Sequence, residues 1–171
     1  MDDLVKPSEK WDPFERPLFD NPKARDLSRV GVVDIGSNSV RLVVFDGAAR
    51  SPAYFFNEKV MCALGAGLAE SGKLNPEGRL RALSALRRFC TIAKGIGLPS
   101  LTAVATAAVR EASDGGDFIA QVQSETGLKI HVIDGEEEAR LAAQGVLLGW
   151  PGSYGLVCDI GGGSMELAEI A

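Results

Sequence analysis

The sequence predicts an α/β protein of element order βββαβαβα, followed by the first hairpin of a duplicated second lobe. Three observations predict it. Residues 34 to 42 read DIGSNSVRL and residues 159 to 167 read DIGGGSMEL, so one nine-residue motif opens two stretches of chain in the same way. Three strand-like segments follow one another from Arg29 onward with no helical pattern between them, which implies an antiparallel start. Beyond them, helical and strand periodicities alternate as far as Gly149.

Taken in order, residues 1–28 hold four of the eight prolines (Pro7, Pro13, Pro17 and Pro22) with mixed charge and no apolar period. They are expected to form a flexible arm that orders only against a partner or the body. The first lobe is expected to span 29–149. VGVVDI, VRLVVF and AYFFNEKVMCAL read as three strands joined by tight turns, DGAARSP being the second. Asn75 and Pro76 supply an N-cap and a first helical position. Leu80, Leu83, Leu86, Phe89, Cys90, Ala93 and Ile96 then recur every three or four residues, predicting a helix of about five turns that ends at Gly95 and Gly97. LTAVATAAV reads as a buried strand, DFIAQVQSET as a short helix and LKIHVI as a strand. EEEARLAAQGVLLG reads as a last helix stopped by Gly149 and Pro151. YGLVCDI and MELAEI (within 150–171) then start a second lobe, which the chain is expected to leave truncated after two strands.

Composition narrows the function classes. With 171 residues, 46% hydrophobic, 24% charged and mean hydropathy +0.07, the chain can bury an ordinary core and is expected to be soluble and cytoplasmic. No stretch approaches the roughly 20 apolar residues of a membrane span, and MDDLVKPSEK lacks the basic start and apolar core of a secretory signal. Cys62, Cys90 and Cys158 are too few and too widely spaced for a disulfide framework or a zinc site, and sit among apolar neighbours as small core residues do. The one histidine, His131, lies in a strand-like run and is expected to be structural. A net charge of −5 argues against general nucleic-acid binding, though not against a local anion site.

The repeated motif is the chemical signal. Each copy ends a strand with an aspartate, places Gly and Ser in a tight turn whose N–H groups can point outward, and returns along a second strand. Such a turn can be an anion-binding nest, and two of them facing each other could grip a chain of phosphates. A single copy would be no more than a hairpin turn; duplication with Asp and Ser retained favours the nests. Neither copy is a dinucleotide fingerprint or a P-loop, since GxGxxG before a helix and GK[ST] are both missing.

DIGSNSVRL, ATAAVREA (105–112), DGEEEARL (134–141) and DIGGGSMEL together resemble the exopolyphosphatase and guanosine pentaphosphate phosphatase family of the sugar kinase, Hsp70 and actin superfamily. The resemblance implies a ribonuclease-H-like (actin-like ATPase) lobe, paired across a cleft with a second one, and a magnesium-dependent phosphohydrolase that releases terminal phosphate from polyphosphate or guanosine pentaphosphate. It also implies a homodimer in the full-length form, with neither a membrane nor a specific nucleic acid as partner. Glu138 matches the family glutamate that positions and deprotonates the attacking water. Asp159 and Glu166, flanking the second turn, match magnesium-associated acids, and Asp34 is the symmetric acid of the first. Ser37, Asn38, Ser39 and Arg41, with Gly162, Gly163 and Ser164, are candidate phosphate contacts, and Arg110 matches a substrate-facing arginine.

Each of these residues also has a plainer role open to it. Glu136, Glu137 and Glu138 would stabilise a helix N-terminus, each aspartate could accept from its own turn, and Arg110 could simply pair with Glu111. Two other functions stay open at this point: an ATP-dependent kinase of the same superfamily, or a noncatalytic polyanion-binding regulator. Finally, Glu138, Ala142, Gly145 and Gly149 fall on one stripe of the last helix. The second hairpin is expected to pack closely on that stripe and bring Glu138 beside its turn.

Overall fold

A computed structural model describes residues 29–45 and 54–171. The expected arm and the DGAARSP turn lie outside the described residues. The first lobe holds a five-stranded sheet in the order β3-β2-β1-β4-β5. Its strands are β1 (Val30–Ile35), β2 (Ser39–Phe45), β3 (Tyr54–Met61), β4 (Leu101–Ala105) and β5 (Ile130–Val132). The first three are antiparallel, and β4 and β5 join β1 in parallel. A separate two-stranded antiparallel sheet pairs β6 (Gly155–Ile160) with β7 (Met165–Ile170).

Alternation along β1 and β2 sends Val33, Ile35, Val40, Leu42 and Val44 to one face, all fully buried. Against them pack Leu83, Leu86 and Phe89 of α2 (Pro76–Gly95) and Phe118 and Val122 of α4 (Gly115–Thr126), in one core. The α2 start is as expected: the Asn75 side chain accepts from the Gly78 amide at 2.8 Å, and Pro76 occupies the first turn. Leu80, by contrast, is 69% exposed. At 100° per residue it lies roughly 160° around the helix from Ala82, on the solvent side of the buried stripe.

The βββαβαβα order holds with two short additions, α1 (Leu68–Ser71) and α3 (Ala107–Glu111). The second corrects the reading of LTAVATAAV as one strand. β4 stops at Ala105 because its partner β1 stops opposite it at Ile35. With no strand left to pair, Thr106 donates its amide to the Ile35 carbonyl, and the alanine-rich remainder coils into a helical turn. The cysteines also divide: Cys62 is buried, Cys90 half-buried and Cys158 exposed. Cys158 lies on β6, whose residues are almost all exposed, so the apolar sequence around it does not bury it. The last helix, α5 (Gly135–Gly149), lies against β7 and β6.

Candidate active site

The two motif copies fold alike. In the first, the Gly36 amide donates to the Ser39 carbonyl at 3.0 Å; in the second, the Gly161 amide donates to the Ser164 carbonyl at 2.9 Å. Strand register is also repeated, setting Asp34 opposite Arg41 and Asp159 opposite Glu166.

The first turn is tied into its lobe. The Asn38 carbonyl accepts from the amides of Cys62 and Ala63, both at 2.9 Å, and the Ser37 carbonyl accepts from Gly65 at 2.8 Å. The second turn is set tip to tip against it. A methyl group at Gly162 would lie 3.1 Å from the Asn38 Cβ, and one at Gly163 would lie 3.1 Å from the Ser37 Oγ. Glycine is needed in the second copy for this approach. Beside the tips opens a cleft of about 440 Å³, lined by Ser37, Gly162 and Gly163 together with Glu70, Ala108 and Glu111.

The expected acids gather near the same junction. Glu138 is on the first turn of α5, where Asp134 caps the helix by accepting from the Glu137 amide at 2.8 Å. Its carboxylate accepts from Arg110 Nη1 at 3.1 Å, and the same nitrogen donates to the Ile133 carbonyl at 2.9 Å. Burial pushes the Glu138 carboxyl up; the Arg110 hydrogen bond opposes this, and the charges of Glu166 and Asp159 add to it, leaving it above the ordinary glutamate range. Asp34, solvent-accessible but crowded, is likewise raised, first by desolvation. Arg41 and Lys59 pull it back, and Asp159 across the cleft pushes it up. Glu166 is only 9% exposed, and its Oε2 is buried without a hydrogen-bond partner.

The residues singled out in the sequence lie near one place, with particulars the sequence did not supply. Ser37, Asn38, Gly162 and Gly163 touch across the tips, while Ser39 and Ser164 close their own turns through their carbonyls. Arg110 meets Glu138 and, at 3.7 Å, Glu111. Arg140 pairs with Glu137, a structural contact, as its position on the helix allows. Asp34, Asp159 and Glu166 do not form a ready cage: among the described residues no three acid, histidine or cysteine side chains are grouped to hold a metal ion. The orphaned Glu166 oxygen beside Asp159 is nonetheless the kind of donor a hard cation takes, and magnesium needs only one or two carboxylates when phosphate supplies the rest. Glu70 and Glu111 in the cleft were not anticipated; Glu111 could have been, since it adjoins Arg110 in ATAAVREA.

The small-residue stripe is half corrected. The hairpin does pack on α5, and Glu138 does feel the acids of that hairpin. A Cβ at Gly145 or Gly149, however, would meet nothing within 4 Å, so no neighbour approaches closely there. The opening between α5 and β7 is lined instead by Gly135, Glu136, Ala139, Arg140 and Ala143, one face further round.

Comparison with known proteins agrees with this fold. Exopolyphosphatase 1 of Mycobacterium tuberculosis is 36% identical over 144 residues, covering 82% of this chain and 42% of that protein. The crystal structure of an exopolyphosphatase from Cytophaga hutchinsonii superposes with a TM-score of 0.76 at 34% identity, over 82% of this chain and 46% of that one. The Aquifex aeolicus Ppx/GppA family member does so with a TM-score of 0.73 at 30% identity, over 82% and 46%. This chain thus spans less than half the length of these relatives. The family model for Ppx/GppA phosphatases matches residues 32–171, from inside β1 through the second turn to the last residue, and the chain belongs to the Ppx/GppA phosphatase family.

Proposed function

We propose that this chain supplies the first lobe and the second phosphate turn of a phosphohydrolase that removes terminal phosphate from polyphosphate or guanosine pentaphosphate. The supporting observation is the tip-to-tip pair of turns, with Gly162 and Gly163 against Ser37 and Asn38, next to a raised Glu138. Residues 29–149 form the first lobe on this reading, and 150–171 the beginning of the second.

The terminal phosphate lies between the turns, where backbone N–H groups and the hydroxyls of Ser37, Ser39 and Ser164 face its oxygens. Arg41 and Arg110 add cationic donors; a guanidinium has five, so Arg110 can hold Glu138 and still meet a phosphate oxygen. Glu138 accepts a proton from water as the water oxygen bonds to the terminal phosphorus. The bridging P–O bond breaks, and the shortened chain leaves with the bridging oxygen. A raised carboxyl suits this task, since a base works best when its pKa approaches the working pH. Magnesium would be held by Glu166 and Asp159, with Asp34 opposite, and would neutralise charge on the phosphate oxygens.

The test is phosphate release from polyphosphate and from guanosine pentaphosphate by the full-length protein, with and without magnesium and with no second acceptor. Release that stops without magnesium is expected. Formation of ADP only in the presence of a small-molecule acceptor would replace this reading with a kinase. Sedimentation of the same preparation tests the expected homodimer.

A further inference from the structure

The outward face of the five-stranded sheet carries a row of charge that runs one strand beyond the turns. Register sets Asp34 opposite Arg41 on β2, and Arg41 opposite Lys59 on β3. Directly paired side chains project to the same face of a sheet, so the three stand in line. They alternate with Val33, Val40 and Leu42, which point into the core, and both Asp34 and Lys59 are exposed.

Two particulars make the row unusual. The Arg41 guanidinium is drawn toward β3, its Nε donating to the Asn57 Oδ1 at 2.9 Å, so it extends to the Lys59 side. Glu58, the acid next to Lys59 in sequence, is on the alternate strand face and is occupied by Arg88 of α2. Among the described residues no hydrogen bond or ion pair holds the Lys59 ammonium. Like charges directly opposite on a sheet destabilise it, and the one acid in the row is at its far end. Two cations side by side on an exposed face suit an anion.

Resting on the phosphohydrolase reading above, we propose that Lys59, one strand beyond the Arg41 that meets the terminal phosphate, forms a step for the interior phosphates of a polyphosphate chain held at the turns and favours long chains over short. Two strand spacings place Lys59 about 10 Å from Asp34. A short substrate held at the turns does not need that reach, whereas a long one must pass over the sheet as it leaves them.

The experiment compares tripolyphosphate with long-chain polyphosphate as substrates of the full-length protein at low salt, reading KM and direct binding. Lys59→Ala is expected to weaken the long chain about fivefold and tripolyphosphate less than about twofold, as suits one exposed charge contact. Lys59→Arg is expected to restore the difference, and added salt to erase it. The melting temperature of Lys59→Ala is expected to hold or rise, because the side chain is exposed and its loss relieves the like-charge pair with Arg41. Equal weakening of both substrates, or no weakening of either, overturns the role of Lys59 while leaving the site reading intact. A wild-type protein that neither binds nor cleaves either substrate overturns both together.

Discussion

The turns at Gly36–Ser39 and Gly161–Ser164 share a backbone and differ in charge and support. Each closes through the same glycine-to-serine hydrogen bond, and each sets the motif aspartate opposite the residue seven positions on. In the first copy that residue is Arg41, so Asp34 faces a cation; in the second it is Glu166, so Asp159 faces another acid. The first turn stands on a five-stranded sheet with its carbonyls held by Cys62, Ala63 and Gly65, while the second stands on two strands with little of their surface covered. One nine-residue motif therefore specifies a turn, and a single position within it decides whether the turn presents a cation or an acid pair. On the proposed function, the acid-rich copy with Glu138 would serve metal and water, and the copy with Arg41 would serve phosphate.

The largest effect should come from the acid side. Glu138→Gln in the full-length protein is expected to lower turnover by about 10²- to 10⁴-fold with substrate affinity kept or improved. The sign of its stability effect follows from the raised carboxyl. The folded-state pKa exceeds the unfolded one, so ionisation costs the fold stability as pH rises through that window. Glutamine escapes the cost, and the melting temperature at neutral pH should hold or rise, the advantage narrowing below about pH 4. Near-normal turnover in this variant would remove Glu138 from the catalytic role.

Support should separate the turns next. The Gly36 amide is expected to exchange with solvent deuterium about a hundredfold more slowly than the Gly161 amide in this chain, since the first turn opens only with its sheet. Equal rates would mean that the hairpin is held as firmly as the first lobe.

A smaller effect is expected at Asp114, which ties the start of α4 to the segment leading into α2. Its carboxylate accepts from the Leu74 amide at 2.9 Å and from Arg79 at 2.8 Å. Burial works to raise its pKa, but those donors outweigh it and hold it below the usual aspartate range. The contribution is therefore fully present above the unfolded value and lost as pH falls through the folded one. Asp114→Asn should cost about 1–2 kcal/mol at neutral pH, converging with wild type in acid unfolding scans. A penalty that persists at low pH would mean that charge is not its origin.

The smallest effect tests the tips themselves. Gly162→Ala should cost about 1 kcal/mol through its approach to Asn38, and Gly36→Ala less than about 0.5 kcal/mol, since its added methyl meets only the Ser39 carbonyl at 3.5 Å. Thermal melting of both variants checks this, and equal costs would argue that the turns do not touch in solution.

Much of this was legible in sequence because it is local. The Asn75–Pro76 helix start, the alternation in β1 and β2 and the duplicated turn each depend on residues close together in the chain. What escaped depends on the neighbours of a segment. β4 ends where β1 ends, which LTAVATAAV does not reveal. Cys158 and Leu156 look like core residues, yet Leu156 is 70% exposed because β6 has only β7 beside it. Gly145 reads as a point of close approach, but a helix offers several faces, and the hairpin takes another. The pairing of Arg110 with Glu138 links segments 28 residues apart, beyond any periodicity.

That last contact has a mechanical consequence. Glu138 rides on α5, which lies against the β6–β7 hairpin, whereas Arg110 rides on α3 at the end of a strand of the large sheet. Their 3.1 Å bond thus works as a clasp that holds the start of α5 to the large sheet, beside the place where the two turns meet. Because Glu138 is only six residues past the end of β5, a parting of the turns would leave it on Arg110 and take away the Asp159 and Glu166 charges that raise its carboxyl.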